Sequence, residues 1–256
     1  PLDGRYRAVV EDLGEYFSEA GLNRARVLVE VEWLIALSDR GMFGSAPLEA
    51  EQARQLRRFA SEFGENEIAR LAELEATTRH DVKAVEYLVR EKLTELGLTR
   101  IAELTHFACT SEDINNLAYA IVVRGAVQDV WLPKLREVVA ALREWSVAER
   151  DTPMLARTHG QPATPTTFGK EIAVVVGRLE RVLGHVERAE FLGKFSGATG
   201  TFAAHLAADP DADWRAISHD FVLSLGLTWN PLTTQIESHD GQAELFSRVS
   251  HLNRIL

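Results

Sequence analysis

The fold class is decided by residues 113–150, which read DINNLAYAIVVRGAVQDVWLPKLREVVAALREWSVAER. Pro133 cannot continue an undisturbed helix, so it predicts a kink or a break near Leu132. Even with a break, helices of this length are typical of a long-helix bundle. Apolar side chains recur along the stretch at helical spacing, at Ile114, Leu117, Ile121, Trp131, Leu135, Val138, Leu142 and Trp145.

The rest of the chain also predicts helices. A second long helix is expected from Thr166 to about Phe191, and shorter amphipathic helices over 22–40, 47–61 and 63–77. No strand longer than a few residues is predicted. The last predicted helix has apolar residues at helical spacing up to Leu256, and no helix stop signal follows them. We therefore predict an all-α chain with an N-terminal helical domain, 1–112, and the first, incomplete part of a bundle, 113–256.

Composition limits the function classes. The formal net charge of -10 argues against a nucleic-acid binder that relies on bulk charge. Cys109 is the single cysteine, which excludes an intrachain disulfide and favours a reducing compartment. No apolar run reaches membrane-spanning length, and no signal-peptide pattern opens the sequence. We expect a cytoplasmic protein that binds neither nucleic acid nor a membrane.

Polar breaks between the predicted helices carry the remaining signals. Four histidines lie in or beside such breaks: His80, His106, His159 and His239. None has compact metal-binding spacing, and no cysteine cluster accompanies them, so a metal site is the less favoured interpretation. The sequence also lacks a nucleophile elbow and a phosphate-binding Gly-Lys-Ser/Thr loop. Acid–base chemistry by histidine on an anionic substrate remains as the hypothesis.

Each of three polar breaks can be interpreted either as a helix cap or turn or as part of a functional site. The segment RTHGQPATPTTFGKE, 157–171, places His159 just before an expected helix start, where the dipole favours anions. His80 lies at another predicted helix start, where this stretch alone favours a capping histidine over a functional one. Thr110 and Ser111 form an N-cap signature, and the same hydroxyls suit a bound phosphate or carboxylate.

Six segments carry a resemblance to a known family. In chain order they are DGRY (3–6), RHDVKAVEY (79–87), HFACTSEDINN (106–116), RTHGQPATP (157–165), WNP (229–231) and TQIE (234–237). Each alone is weak evidence, whereas the set in this order is highly specific. The chain resembles the fumarase/aspartase superfamily of elimination lyases, and within it the adenylosuccinate lyases of bacterial type.

The resemblance implies a β-elimination in purine biosynthesis. Members of that family split adenylosuccinate into AMP and fumarate, and treat the related succinyl-carboxamide ribotide likewise. They are homotetramers with a central long-helix bundle, share active sites between subunits and need no cofactor. A sister enzyme such as an argininosuccinate lyase is the nearest alternative. A non-catalytic helical scaffold, in which the polar patches are only caps and turns, is the alternative from another class.

The resemblance also implies roles for single residues. His159 matches the general acid that protonates the leaving nitrogen, and His80 matches the second catalytic histidine. Thr110 and Ser111 match the pair that binds the succinyl part of the substrate. The other matched substrate-binding positions are Arg5, Tyr6, Arg79, Asp81, Lys83, His106 and Gln235.

The sequence departs from the family pattern at two places. Arg79 stands where the resemblance predicts asparagine. The family's mobile loop, Ser-Ser-x-Met-Pro-x-Lys-x-Asn-Pro, does not occur in the 256 residues, and it carries the serine expected to be the base. We therefore expect the base to lie beyond residue 256.

The missing loop generates the first prediction. The purified 256-residue chain should release no fumarate from adenylosuccinate, whereas the product of the complete reading frame should, because elimination needs a base as well as an acid. Fumarate is followed by its ultraviolet absorbance under identical conditions for both proteins. Appreciable turnover by the shorter chain would contradict the prediction.

Overall fold

The computed structural model describes residues 4–256 and confirms the all-α prediction. Residues 1–3 lie outside the described part, and so does Asp3 of the DGRY segment. The helices are α1 Glu11–Phe17, α2 Glu19–Asp39, α3 Ala50–Ser61, α4 Glu65–Thr78, α5 Asp81–Glu95, α6 Ser111–Gly125, α7 Leu132–Ala148, α8 Phe168–Glu187, α9 Ala203–Ala208, α10 Trp214–Ser224 and α11 Asp240–Asn253.

The strands form two small pairs. Strands β1 Pro153–Thr158 and β2 Gln161–Thr167 make an antiparallel hairpin, and β3 Leu192–Gly193 pairs in parallel with β4 Thr228–Trp229. The expectation of no strand longer than a few residues is wrong for the hairpin. Its strands are mostly exposed and contain three prolines, so they lack the apolar alternation by which strands are recognised.

The chain divides into two compact units. The first contains the residues up to Gly125 together with Phe191–His239. Its core is built on α2, which is buried along most of its length. Trp33 on α2 is fully buried, with ring centroids 4.3 Å from Phe195 and 5.0 Å from Phe221.

The second unit contains Ala126–Glu190 and Asp240–Leu256. Helices α7 and α8 pack antiparallel, as the ion pair Arg136–Glu187 at 2.6 Å shows together with the bond from Ser146 Oγ to the Gly169 carbonyl. Gly169 is required at this approach, because a Cβ there would lie 2.3 Å from the Ser146 carbonyl oxygen. Helix α11 packs on α8, where Arg248 donates to the His185 carbonyl at 2.6 Å.

The predicted disturbance near Leu132 is confirmed. Residues Ala126–Trp131 adopt a π-helical conformation, and α7 begins directly after them. Pro133 lies in the first turn of α7, directly after these π-helical residues, and proline cannot donate the backbone hydrogen bond of a regular helix. None of the helices described between residues 4 and 256 is long and apolar enough to cross a membrane.

His205 on α9 is buried in the first unit among aromatic rings. Its ring centroid lies 5.0 Å from that of Trp214 and 5.5 Å from that of Phe202. Among the described residues neither ring nitrogen has a hydrogen-bond partner. Burial therefore lowers the pKa of His205 to about 4, because a charged imidazole is poorly solvated there.

The depressed pKa of His205 predicts an acid sensitivity of the fold. Between the ordinary pKa of 6.5 and about 4, the unfolded chain binds a proton that the folded chain refuses, so stability falls as pH falls through this window. The loss from this one group is about 2 kcal/mol at pH 5. His205→Phe keeps a ring of similar size and should remove that part of the pH dependence. Urea unfolding of both proteins at pH 7 and pH 5 measures it, and equal losses in both would contradict the assignment.

Candidate active site

His80 caps the start of α5. The backbone N–H of Lys83 donates to its Nδ1 at 3.2 Å, so the imidazole serves as the N-cap acceptor that serine or aspartate usually provides. The Ser111 hydroxyl, at the start of α6, lies 3.4 Å from Nε2. Because Nδ1 accepts a hydrogen bond, a neutral ring carries its proton on Nε2, which faces Ser111.

The His80–Ser111 contact brings two helix starts together. Helix α5 begins at Asp81 and α6 at Ser111. The first amide groups of a helix have no partner within the helix, and its dipole is positive at that end. Two such ends side by side favour a bound anion more than either alone. The arrangement suits a carboxylate or a phosphate of a substrate.

Each acidic side chain at these two helix starts has its own basic neighbour. Arg26 Nη2 lies 2.7 Å from Asp81 Oδ2. Burial by itself would raise the pKa of Asp81, but the Val82 amide and the Arg26 charge outweigh it and hold that pKa below its ordinary value. The two further pairs are Lys194–Asp113 at 2.8 Å and His239–Glu112 at 3.6 Å. The negative charges of Asp81 and Asp113 are therefore offset by cations beside a place that suits anions.

Asp113 is the most connected of these acids. Both Asp113 and Lys194 are fully buried. The Asp113 carboxylate accepts hydrogen bonds from the backbone N–H groups of Thr110, Ser196 and Gly197, at 2.9, 3.0 and 3.1 Å. Lys194 also donates to the Gly197 carbonyl at 2.9 Å. One carboxylate thus fixes the start of α6 and the Ser196–Gly197 loop together.

His106 is held by a second buried carboxylate. Its Nδ1 lies 2.6 Å from Glu30 Oε1, and its backbone N–H donates to Glu30 Oε2 at 3.0 Å. Glu30 is fully buried. Burial pushes the pKa of His106 down, but the hydrogen bond and charge of Glu30 outweigh it and leave that pKa above its ordinary value. His106 therefore favours the cationic form, near the Thr110–Ser111 segment.

His159 lies at the tip of the β1–β2 hairpin. Thr158 pairs with Gln161, so His159 and Gly160 form a two-residue loop, and both have positive φ, 51° and 75°. This is the combination that a type I′ turn requires. The expectation that His159 lies just before a helix start is wrong, because the hairpin continues to Thr167 and α8 begins only at Phe168. Its placement comes from a tight turn, not from a helix dipole.

The other predicted residues occupy the first unit, whereas His159 belongs to the second. The Arg5 guanidinium lies 5.6 Å from the centre of the exposed Tyr6 ring. Lys83 Nζ is paired with Glu86 at 2.7 Å. Arg79 caps the end of α4 with a positive φ of 54°. Gln235 is exposed in the segment before α11.

Sequence reasoning missed four charged residues that hold the site together. Arg26 donates to Asp81, Asn115 and Asn23, at 2.7, 2.9 and 2.9 Å. One signal was available, since charges inside apolar runs, as in Val29-Glu30-Val31, are rarely left unpaired when buried. The sequence does not show which residues pair with these buried charges. The four are Arg26, Glu30, Asp113 and Lys194.

A family model described as "Lyase" matches residues 4–256. Adenylosuccinate lyase of Escherichia coli (strain K12) is 48% identical over 258 aligned residues, which cover 100% of this chain and 57% of that protein. The enzyme of Haemophilus influenzae is 46% identical with the same coverage of both proteins. The chain thus spans little more than half the length of these curated relatives.

Solved structures with lower identity share the fold. A fumarate lyase from Mesorhizobium sp. BNC1 superposes with a TM-score of 0.69 at 22% identity, covering 94% of this chain and 54% of that one. A β-carboxy-cis,cis-muconate cycloisomerase from Acinetobacter calcoaceticus sp. ADP1 gives 0.67 at 20% identity, covering 93% and 53%. At these identities the likeness concerns the fold alone.

The buried pair yields a stability prediction. Lys194→Met leaves the Asp113 carboxylate buried without its cation, which should cost about 3–5 kcal/mol of unfolding free energy. Asp113→Asn with Lys194→Met should cost less than the sum of the two single changes, because it leaves no charge unpaired. Urea unfolding of the three variants measures the coupling. Strictly additive losses would show that the pair does not act as a unit.

Proposed function

The chain belongs to the lyase family, and we propose that its site serves the β-elimination that splits adenylosuccinate into AMP and fumarate. Succinyl-carboxamide ribotide is the second proposed substrate, since the same carbon–nitrogen bond is broken in it. The contact of His80 Nε2 with Ser111 Oγ at 3.4 Å carries the proposal. It joins a histidine, a hydroxyl and two helix starts at one place that suits a dicarboxylate.

The proposed chemistry needs an acid, a base and donors for negative charge. A base takes a proton from the carbon beside a succinyl carboxylate, and the electron pair forms the double bond of fumarate. The carbon–nitrogen bond breaks, and the leaving nitrogen takes a proton from His159. Negative charge builds on the carboxylate during the first step, so fixed N–H and O–H donors lower the barrier. The base is not assigned to any residue of this chain.

The donors of the first unit suit the succinyl part of the substrate. The Thr110 and Ser111 hydroxyls lie at the start of α6, and His80 contacts Ser111 from the start of α5. We assign the succinyl carboxylates to this place because positive helix ends and hydroxyl donors meet there. His106 is a further proposed substrate contact; the hydrogen bond to Glu30 raises its pKa above the ordinary value.

The remaining assignments rest on the matched motifs. We assign nucleotide contacts to Arg5 and Tyr6, further substrate contacts to Arg79, Asp81 and Lys83, and a substrate hydrogen bond to Gln235. We also propose a cytoplasmic homotetramer with sites shared between subunits and no cofactor. The division into an N-terminal domain, 1–112, and the beginning of a bundle, 113–256, stays part of this proposal.

The acid assignment predicts a defined kinetic loss. His159→Asn in the product of the complete reading frame should lower kcat for adenylosuccinate by about 10²–10⁴, the usual contribution of a positioned acid. Asparagine tolerates positive φ, so the hairpin turn should be kept. Steady-state fumarate release measures kcat and KM, and His251→Asn on an exposed turn of α11 is the matched control.

Three outcomes would overturn the proposal in different ways. A His159→Asn variant with the wild-type kcat removes His159 as the acid. Fumarate release that is faster from argininosuccinate than from adenylosuccinate reassigns the substrate to a sister enzyme. If neither compound is split, the helical scaffold is the better account of the chain.

A further inference from the structure

Of the four histidines in the polar breaks, His239 is the one to which the matched motifs assign no role. It lies between two carboxylates, with Nδ1 at 3.5 Å from Glu237 Oε2 and Nε2 at 3.6 Å from Glu112 Oε1. Its backbone has a positive φ of 57°, which is uncommon for a residue other than glycine. Strained backbone conformations occur often at functional sites, and here the strain places the His239 ring between the Glu112 and Glu237 carboxylates.

The two carboxylates belong to different parts of the first unit. Glu112 lies in the first turn of α6, directly after Ser111. Glu237 lies in the segment before α11, two residues after Gln235. The imidazole therefore connects the proposed succinyl site with the segment that carries the proposed substrate glutamine.

Glu237 is the inner anchor of the Gln235 segment. Only 3% of its surface is exposed, whereas Leu232 and Ile236 on the same segment are 83% and 52% exposed. The Asn230 amide and the His239 backbone N–H donate to its carboxylate at 2.9 and 2.6 Å. Its own backbone N–H donates to Glu112 Oε1 at 3.3 Å. The segment is thus tied down at Glu237 while its outer side chains stay exposed.

A second contact fixes the other end of the segment. Gly200 has a positive φ of 74°, and a Cβ there would lie 2.2 Å from the Thr233 carbonyl oxygen. The two backbones can approach this closely only because residue 200 is glycine. Gln235 therefore lies between an anchor at Thr233 and an anchor at Glu237, so the Glu237 contacts decide how freely it moves.

The imidazole also separates the two carboxylates. Glu112 Oε1 and Glu237 Oε2 face opposite nitrogens of the ring, at 3.6 and 3.5 Å. Like charges repel, and negative charge beside Ser111 opposes a dicarboxylate substrate.

We propose that His239 is a positioning residue that bridges Glu112 and Glu237 and holds the Gln235 segment against the start of α6. The inference rests on the proposed function, since it takes Gln235 and Ser111 as substrate contacts. It assigns His239 no contact with the reacting atoms.

Hydrogen exchange tests the bridge without any assay of activity. His239→Leu in the product of the complete reading frame should speed amide exchange in residues 231–238 and at the start of α6, and leave α3 unchanged. His239→Asn separates backbone strain from bridging, because asparagine tolerates positive φ but is too short to reach both carboxylates. It should behave like the leucine variant, while His239→Gln, which is longer and keeps a donor, should stay nearer the wild type.

Kinetics test the link to the substrate. His239→Leu should raise KM for adenylosuccinate at least about tenfold with a smaller change in kcat, the pattern of lost ground-state binding. Adding Glu112→Gln to His239→Leu should recover part of that loss, because one of the two facing charges is gone. With Gln235→Ala already in place, His239→Leu should have a smaller effect, since it acts partly through Gln235.

The outcomes separate this inference from the proposed function. Unchanged exchange in residues 231–238 of His239→Leu, or wild-type exchange in His239→Asn, overturns the bridge. Faster exchange with an unchanged KM in an active enzyme overturns the positioning role. If the wild-type protein releases no fumarate, the proposed function fails, and the exchange measurements still decide the bridge.

Discussion

The candidate site depends on one buried ion pair, Asp113 with Lys194. Neither side chain is exposed, so each charge needs the other and a full set of hydrogen bonds. The Asp113 carboxylate obtains them from three backbone N–H groups, and Lys194 from the Gly197 carbonyl. These partners come from the start of α6 and from the Ser196–Gly197 loop. The geometry at Thr110 and Ser111 is therefore set by a charge that is fully buried.

The same physical rule organises the rest of the site. A helix start attracts anions, but it also collects acidic residues as capping groups, and unpaired acids would repel an anionic substrate. The chain resolves this conflict by pairing two of the acids with cations, Arg26 with Asp81 and Lys194 with Asp113. At His106 the acid supports the base instead, since the hydrogen bond and charge of Glu30 raise the pKa of the imidazole. Pairing on the protein side leaves the outward donors available to a ligand.

Much of the helical framework and several caps follow from local sequence. The apolar stripes predicted the long helices, Pro133 predicted the disturbance before α7, and Thr110–Ser111 predicted the start of α6. These succeed because helix periodicity and capping depend on residues within one or two turns. The hairpin at His159 was not predicted because its strands are mostly exposed and contain prolines. Such strands show no alternation of apolar and polar residues. Its expected helix-start position was wrong for the same reason.

The sequence by itself determined the fold class, the positions of most helices and a set of motifs that resembles one lyase family. It could not determine which charges meet. His80 and Ser111 are 31 positions apart, Arg26 and Asp81 are 55 apart, and Asp113 and Gly197 are 84 apart. Contacts over such separations depend on how helices pack, which no local pattern encodes. Only the tertiary structure decided that the acids at two helix starts would be offset by distant basic residues, since buried charge is tolerated only where folding brings a partner to it.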